Sequence, residues 1–322
     1  VKFQPTAFDK TGTLTEGKPQ VTDIQPLSDW QQDAMLRVVA AIEVGSTHPL
    51  AQSLVAKVKD LNIEIPESQN KKALIGSGVE GDVDGVKYQV LAPSKVTFDL
   101  ASEVVEKVEA LEGEGKTVVL ALEVKHQEEL QEQATKVIGL IAWQDTLRSD
   151  AKVAIERLND LGIQSIMLTG DNPRSAAAIS SKIGMQYKAN LLPSDKVSYV
   201  EELSQQSHVA MVGDGINDAP AMKTANVGIA MGGGTDVALE AADSALTHNR
   251  LTELPAMIEL SQATMNNIRQ NVALALGLKG VFLVTSLLGI TGLWVAVLAD
   301  SGATALVTLN ALRLLRFKSK AD

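Results

Sequence analysis

The sequence predicts an α/β protein: a doubly wound parallel sheet, an α+β segment inserted after its first strand, and a transmembrane helical hairpin at the C-terminal end. Three observations carry this expectation. Short apolar strands alternate with helical stretches on either side of an interruption, which is the pattern of a parallel sheet with crossover helices. Three of those strands run into acidic loops, at Asp9, Asp171 and Asp214. The composition then changes near residue 271, and Gly280 to Ala299 is a run of 20 residues without a charge, about the length that crosses a hydrocarbon core.

The first strand is Thr6-Ala7-Phe8, ending at Asp9. Residues 21–143 then follow another pattern. Helical spacing covers Gln31–Val44 and Pro49–Leu61. Gly81-Asp82-Val83-Asp84-Gly85 leading into Val86–Leu91 is a hairpin signal. A helix over Ser102–Glu112 and strands over Thr117–Val124 and Val137–Trp143 complete the insertion. Strand and helix then alternate again. Ser149–Leu161 is spaced as a helix, with Ser149 as N-cap and Gly162 as its stop. Gln164–Leu168 is a strand running into Thr169-Gly170-Asp171, and Pro193–Gln205 is a helix opened by Pro193 and Ser194. Val209–Val212 is a strand running into Gly213-Asp214-Gly215, and Val227–Met231 is another strand. The expected division is residues 1–20 and 144–255 for the parallel-sheet unit, 21–143 for the insertion, and 256–322 for the hairpin with its tail. Doubly wound sheets bind ligands beyond the carboxyl ends of their strands, where all three acidic loops emerge.

The hairpin reading rests on Val272 to Leu312, which holds only Lys279 and Asp300 as charges, with Gly289-Ile290-Thr291-Gly292 as turn residues. Arg269 precedes it, and Arg313, Arg316, Lys318 and Lys320 follow. The excess of cations outside both ends places both on the cytoplasmic side. A pair of buried core helices is the alternative, but such runs are seldom this long in soluble cores.

Composition excludes several function classes. With 322 residues, about two domains are expected. The formal net charge of −10 argues against nucleic-acid binding, which needs cations to neutralise phosphates. The absence of cysteine removes disulfides, thiolate metal sites and a thiol nucleophile within the chain. Val1-Lys2-Phe3 carries neither an initiator methionine nor an apolar leader, so the expectation is a portion of something longer.

Chemistry concentrates at Asp9-Lys10-Thr11-Gly12-Thr13. A carboxylate at the end of a buried strand, followed by Thr-Gly-Thr, is placed to attack a phosphoryl group and form an acyl-phosphate. The backbone amides and hydroxyls after it can hold phosphate oxygens. Carboxylate and phosphate together call for Mg²⁺, which takes carboxylate, carbonyl and water oxygens. Gly213-Asp214-Gly215-Ile216-Asn217-Asp218 supplies further carboxylates on a loop that permits close approach. Lys196 can neutralise a phosphate and Thr169 can bond one of its oxygens.

These motifs resemble those of the P-type ATPases. Asp9-Lys10-Thr11-Gly12-Thr13 is similar to the family's phosphorylation signature. Thr169-Gly170-Asp171-Asn172 and Gly213-Asp214-Gly215-Ile216-Asn217-Asp218-Ala219-Pro220 are similar to its later signatures, in the family's order. The resemblance covers essentially the whole chain and implies a haloacid-dehalogenase-like phosphorylation domain with an inserted nucleotide-binding domain. It implies that Asp9 is phosphorylated by ATP, that Asp9, Asp214 and the Thr11 carbonyl hold Mg²⁺ with Asp218 close by, and that Lys196 contacts the phosphate. Lys10, Thr169 and Asn217 fall within or beside the same catalytic set, and Gly170 and Asp171 with the nucleotide.

The insertion narrows the resemblance to the heavy-metal branch. Ser46-Thr47-His48-Pro49-Leu50 resembles its His-Pro motif, with Glu43 five residues earlier and Gly76-Ser77-Gly78 following. In that branch the matching Glu and His sit at the adenine, and the glycine pair lets the nucleotide approach the backbone. By itself, a histidine before proline is a helix-start residue. The hairpin narrows it further: Leu278-Lys279-Gly280-Val281-Phe282-Leu283-Val284 and Ala299-Asp300-Ser301-Gly302-Ala303 resemble zinc/cadmium/lead exporters. Ionisable groups within spans are costly and usually functional, and hard carboxylate oxygen suits a divalent ion better than Cu(I). The hypothesis is that Asp300 ligates the transported ion and that Lys279 pairs with the emptied carboxylate, with snorkelling as the plainer account of Lys279.

The chain departs from the full family pattern. It has no Cys-Pro-Cys membrane site and no Thr-Gly-Glu actuator loop. The resemblance therefore implies the catalytic part of a multi-pass pump of a bacterial inner or plasma membrane, exporting Zn²⁺, Cd²⁺ or Pb²⁺, whose partners are earlier membrane helices and an actuator domain. A copper-transporting relative and a soluble phosphatase of the same catalytic fold are the alternatives. A non-catalytic regulatory fragment is a third.

Overall fold

In the computed structural model the described residues are 5–74, 76–127, 132–215 and 217–319, and within them the side chains at 126, 127, 132–134, 293, 296 and 300 lie outside the description. The chain forms two compact units, Val1–Leu251 and Thr252–Asp322.

The first unit opens with β1 (Thr6–Asp9). The insertion follows as β2 (Gln20–Pro26), α1 (Gln32–Glu43), α2 (Pro49–Asp60), β3 (Gln69–Leu74), β4 (Gly78–Val83), β5 (Val86–Leu91), α3 (Ser102–Gly113), β6 (Thr117–Gln127) and β7 (Glu132–Gln144). The alternating pattern then resumes with α4 (Ala151–Asp160), β8 (Ser165–Leu168), α5 (Pro173–Ile183), β9 (Gln186–Lys188), α6 (Pro193–Gln206), β10 (Ala210–Gly213), α7 (Ala219–Thr224), β11 (Val227–Met231), α8 (Asp236–Ala241) and β12 (Ser244–Leu246).

Two six-stranded sheets result, ordered β12-β11-β10-β1-β8-β9 and β2-β7-β6-β5-β4-β3. The first is parallel throughout. Its central strands β1, β8 and β10 are buried at every residue, because crossover helices cover both faces. Their carboxyl ends fall together: Asp9 pairs with Leu168, and Phe8 with Val212. The second sheet is antiparallel and shows the period of two. From β6, Val118, Leu120 and Leu122 enter the core beneath α3 with Val104, Val108 and Leu111. Val119 and Ala121 point to the other face, where Met35, Val39 and Leu54 of α1 and α2 pack.

The two crossings between the sheets run side by side. Thr15 bridges Leu147, Glu16 N bonds Thr146 O at 2.9 Å, and Arg148 N bonds Leu14 O at 3.0 Å. The pairing continues into β2 and β7 through Gln20↔Gln144 and Val21↔Trp143.

Some local expectations are corrected. Ser149 is not the N-cap of α4. That place falls to Asp150, because Ala151 N closes a turn on Arg148 O at 3.1 Å. The β4–β5 turn is confined to Asp84-Gly85, with φ of 50° and 80°, the left-handed pair of a two-residue hairpin; Gly81 to Val83 belong to the strand.

The second unit is a helical hairpin of α9 (Glu253–Leu287) and α10 (Leu293–Leu312). Its turn includes Gly289 at φ +73°. The helix begins well before the apolar run, at Glu253, and continues unbroken through it. α9 has 35 residues and contains an 18-residue stretch with a mean hydropathy of 1.4, so it is long and apolar enough to cross a membrane. Amides tie the two helices: Asn267 Nδ2 donates to Asn310 O at 2.7 Å, and Asn310 Nδ2 to Asn271 Oδ1 at 2.8 Å.

Candidate active site

Three strand ends and the turn after β1 build the site. Asp9 is buried where β1 ends, and Lys10–Leu14 coils back beneath it with Gly12 at φ +74°. Only glycine fits there: a Cβ would stand 1.5 Å from Asp214 Oδ2. The turn is thereby pressed against the acidic loop after β10. Carboxylate oxygens of Asp9, Asp214 and Asp218 lie within 4.8 Å of one another. Lys196, buried on the first turn of α6, donates to Asp9 Oδ1 and, at 3.0 Å, to Asp218 Oδ1.

The electrostatics follow from crowding like charges out of water. Burial, and then the Asp9 charge, push the Asp214 carboxyl up to about 6. The same causes push Asp218 up to about 7 although Lys196 opposes them. Burial works against the Lys196 ammonium, but Asp9 and Asp218 outweigh it and hold its pKa above the ordinary lysine value. Three mutually repelling carboxylates with hard oxygen donors fit Mg²⁺, and Asp9, Asp214 and Asp218 are the side chains that would hold it.

A second tier fixes this arrangement. Thr169 Oγ1 accepts from Asp171 N at 3.1 Å. The Asp171 carboxylate in turn accepts from Lys10 Nζ and, at 3.5 Å, from Thr117 Oγ1 of the insertion. Burial disfavours the Lys10 ammonium, yet Asp171 keeps its pKa raised. Thr11 is exposed at the mouth of the site. Thr13 Oγ1 is buried with no hydrogen-bond partner among the described residues. Gly170 is pressed close to the chain, since a Cβ there would meet Leu191 O at 3.2 Å.

Sequence reasoning missed Asp145 and Arg148. Asp145 Oδ2 accepts from Thr15 Oγ1 at 2.5 Å. Arg148 donates through Nε to Thr13 O and through Nη2 to Gly12 O, both at 2.9 Å, and through Nη1 to Asn249 O at 3.1 Å. It thus clamps the turn that carries Gly12. The available signal was their position, charged groups directly after the apolar strand by which the insertion returns.

Two cavities meet here. One of about 540 Å³ is lined by Asp9, Thr11, Lys196, Asp214, Asn217 and Asp218 among others. A second, of about 840 Å³, is lined by Glu43, Gly76 and Gly78 on the insertion. They share His48, Leu50, Thr117 and Trp143. His48 lines both cavities, and its Nδ1 also caps α2 by accepting from Leu50 N at 3.3 Å, the helix-start role of a histidine before proline. Burial lowers its pKa while Asp171 raises it, and the net is lowered. The glycines also have backbone reasons. Gly76 has φ +68°, and a Cβ on Gly78 would lie 1.8 Å from Val90 O.

Lys279 and Asp300 belong to the other unit. Lys279 lines a cavity of about 270 Å³ with Phe282 and Ala299. Asp300 is on α10, and its side chain lies outside the described residues.

Glu43 supplies a pH-dependent prediction. Burial raises its carboxyl from 4.5 to about 7. The folded state therefore prefers the neutral acid. The cost of the buried charge is absent below the ordinary value, grows as pH rises through the interval, and is complete above about 7. Such a shift corresponds to about 3 kcal/mol at most. Glu43→Gln is expected to raise the urea midpoint at pH 8 and to raise it much less at pH 5. An equal gain at both values would remove burial as the cause.

Comparison with known proteins gives the family. Residues 6–226 match the family model for haloacid dehalogenase-like hydrolases. The zinc/cadmium/lead-transporting P-type ATPase of Escherichia coli (strain K12) is 56% identical over 310 residues, covering 96% of this chain and 41% of that protein. A probable cadmium-transporting ATPase of Staphylococcus aureus (strain MRSA252) is 40% identical over 325 residues, covering 98% of this chain and 43% of that protein. Among solved structures, a zinc-transporting PIB-type ATPase in the E2.Pi state matches with a TM-score of 0.68 and 54% identity, over 98% of this chain and 50% of that one. The chain thus spans about half the length of the relatives it matches or less. It belongs to the haloacid dehalogenase-like hydrolases, and within them it is similar to the catalytic portion of the zinc- and cadmium-transporting P-type ATPases.

Proposed function

We propose that the chain is the ATP-binding and phosphorylation part of a membrane exporter of Zn²⁺, Cd²⁺ or Pb²⁺, with Asp9 as the residue that takes the phosphoryl group. The observation that carries the reading is the meeting of two cavities. The one ringed by Asp9, Lys196, Asp214 and Asp218 shares His48 and three other residues with the one holding Glu43. A nucleotide whose base lies by Glu43 and His48 has its phosphates directed toward Asp9.

An Asp9 carboxylate oxygen attacks the γ-phosphorus, the bond to the bridging oxygen breaks, and ADP leaves. Such transfer is mostly positioning and charge neutralisation. Lys196 supplies a fixed cation beside the acceptor. Thr169 offers its hydroxyl to a phosphate oxygen, and Lys10, tied to Asp171, holds the turn after β1. Mg²⁺, when bound by Asp9, Asp214 and Asp218 with the Thr11 carbonyl, supplies charge neutralisation across carboxylate and phosphate. The hairpin of α9 and α10 provides two of the membrane helices, with Asp300 as an ion ligand and Lys279 as its counter-charge. Earlier membrane helices and an actuator domain are the partners this reading requires.

Incubation with ATP labelled in the γ-phosphate and Mg²⁺ tests the proposal. Acid-stable, hydroxylamine-sensitive label on the chain is the expected result, and its complete absence would refute the reading. The chain carries no Thr-Gly-Glu sequence, so the label is also expected to outlast a chase with unlabelled ATP by many minutes. Brisk steady-state release of phosphate would show instead that the residues present suffice for hydrolysis.

A further inference from the structure

The parallel-sheet portion and the insertion are joined by the paired crossings at Thr15 and Leu147, and they also touch where nothing in the nucleotide chemistry requires it. On one rim, α3 of the insertion lies against α5. Arg174, in the first turn of α5, reaches over with a forked grip: Nη2 bonds Glu109 and Nη1 lies 3.3 Å from Glu112 Oε2. Lys182, about two turns further along the same helix, donates to Glu114 O at 3.2 Å, at the carbonyl end of α3. The turn beyond is pressed on α5 as well, since a Cβ on Gly115 would meet Ile179 Cγ1 at 3.4 Å.

These contacts are unequal. Arg174 and Glu109 have side chains 55% and 46% exposed, and an exposed ion pair contributes little. The Glu112 side chain is only 4% exposed. Burial raises its pKa despite the Arg174 charge. A buried carboxylate whose partner is removed is strongly penalised, so Glu112 makes the bond to Arg174 matter. Glu112 is reached only when α3 and α5 are together, which ties its neutralisation to the closed arrangement.

We propose that Arg174 is a positioning residue, whose guanidinium, forked across Glu109 and Glu112, holds the nucleotide cavity of the insertion closed over Asp9 and so governs the rate of phosphoryl transfer without contacting nucleotide. The proposal rests on the reading that Asp9 takes phosphate from ATP. Arg174 lines neither cavity of the site, so its loss changes how the two cavities face each other rather than how tightly either binds. Small misplacements of reacting groups cost up to about a hundredfold in rate.

Two measurements on the full chain test this. In single turnover at saturating ATP, Arg174→Ala is expected to slow labelling of Asp9 roughly tenfold and Arg174→Glu roughly a hundredfold. The dissociation constant for a non-hydrolysable ATP analogue should stay within about twofold, and Arg174→Lys, which restores the charge beside Glu112 without the fork, should recover only part of the rate. A fall in analogue affinity parallel to the fall in rate would overturn the proposal. The second measurement needs no activity. The chain has no cysteine, so Glu106→Cys on α3 and Ser181→Cys on α5, both at exposed positions, accept spin labels cleanly. Their distance distribution should be narrow in the parent and longer and broader once Arg174→Glu is added. An unchanged distribution overturns the closure role. Failure of the parent to label with phosphate would count against Asp9 as acceptor, while the spin-label distances would still decide the role of Arg174.

Discussion

Asp9→Asn is expected to abolish covalent labelling of the chain by ATP while leaving the fold intact. The substitution keeps the shape of the side chain at the end of β1, where only 6% of the residue is exposed, and removes the anionic oxygen on which the proposed acyl-phosphate would form. Loss of a nucleophile of this kind costs at least about a thousandfold in rate. Stability should not suffer. Asp9 is one cause of the raised carboxyls of Asp214 and Asp218, so neutralising it relieves repulsion, and Lys196 keeps Asp218 as a partner at 3.0 Å. Urea melts and radiolabelling on the same preparation check both halves. A folded variant that labels as the parent does would move the acceptor elsewhere.

Lys196→Met is the opposite case, in which both stability and activity should fall. The ammonium is the cation bonded to Asp9 and Asp218, within a cluster that also includes Asp214. Its pKa is raised by folding, so its stabilisation is fully present below the ordinary lysine value and is lost only as pH rises beyond it; at neutral pH all of it is in force. Removing one partner from a buried charge cluster typically costs about 3–5 kcal/mol. The variant should therefore melt well below the parent without divalent cations. Mg²⁺ should raise its melting temperature more than it raises the parent's, because the vacated position leaves the carboxylates uncompensated. A variant as stable as the parent, with the same response to Mg²⁺, would mean that Lys196 is not what balances these carboxylates.

What was legible in the sequence follows from how each element is buried. Strands β1, β8 and β10 are covered on both faces, so they read as short apolar runs, and their acidic ends mark the site. β3 was not read because Gln69-Asn70-Lys71-Lys72 is an exposed edge strand with no apolar alternation. α5 was not read because its buried face is built partly from small residues, Ser175, Ala176 and Ser180. α9 was expected too short because the apolar count sees only its second half, whereas the backbone continues as helix from Glu253 through the polar turns before Arg269. Asp145 and Arg148 escaped for another reason. Their role is to hold backbone carbonyls and a hydroxyl of the distant Gly12 turn, and only the paired crossings bring the two stretches together.

Those crossings give the insertion the character of an exchangeable cassette. It leaves and re-enters the parallel-sheet unit at one place, with Gln20 and Gln144 directly opposite each other. Antiparallel neighbours stand about 5 Å apart at their Cα atoms, a gap that a two-residue turn closes. A parallel sheet of this kind could thus gain or lose an inserted module of more than a hundred residues at the entropic cost of a single hairpin loop, with every strand of the host sheet left in register.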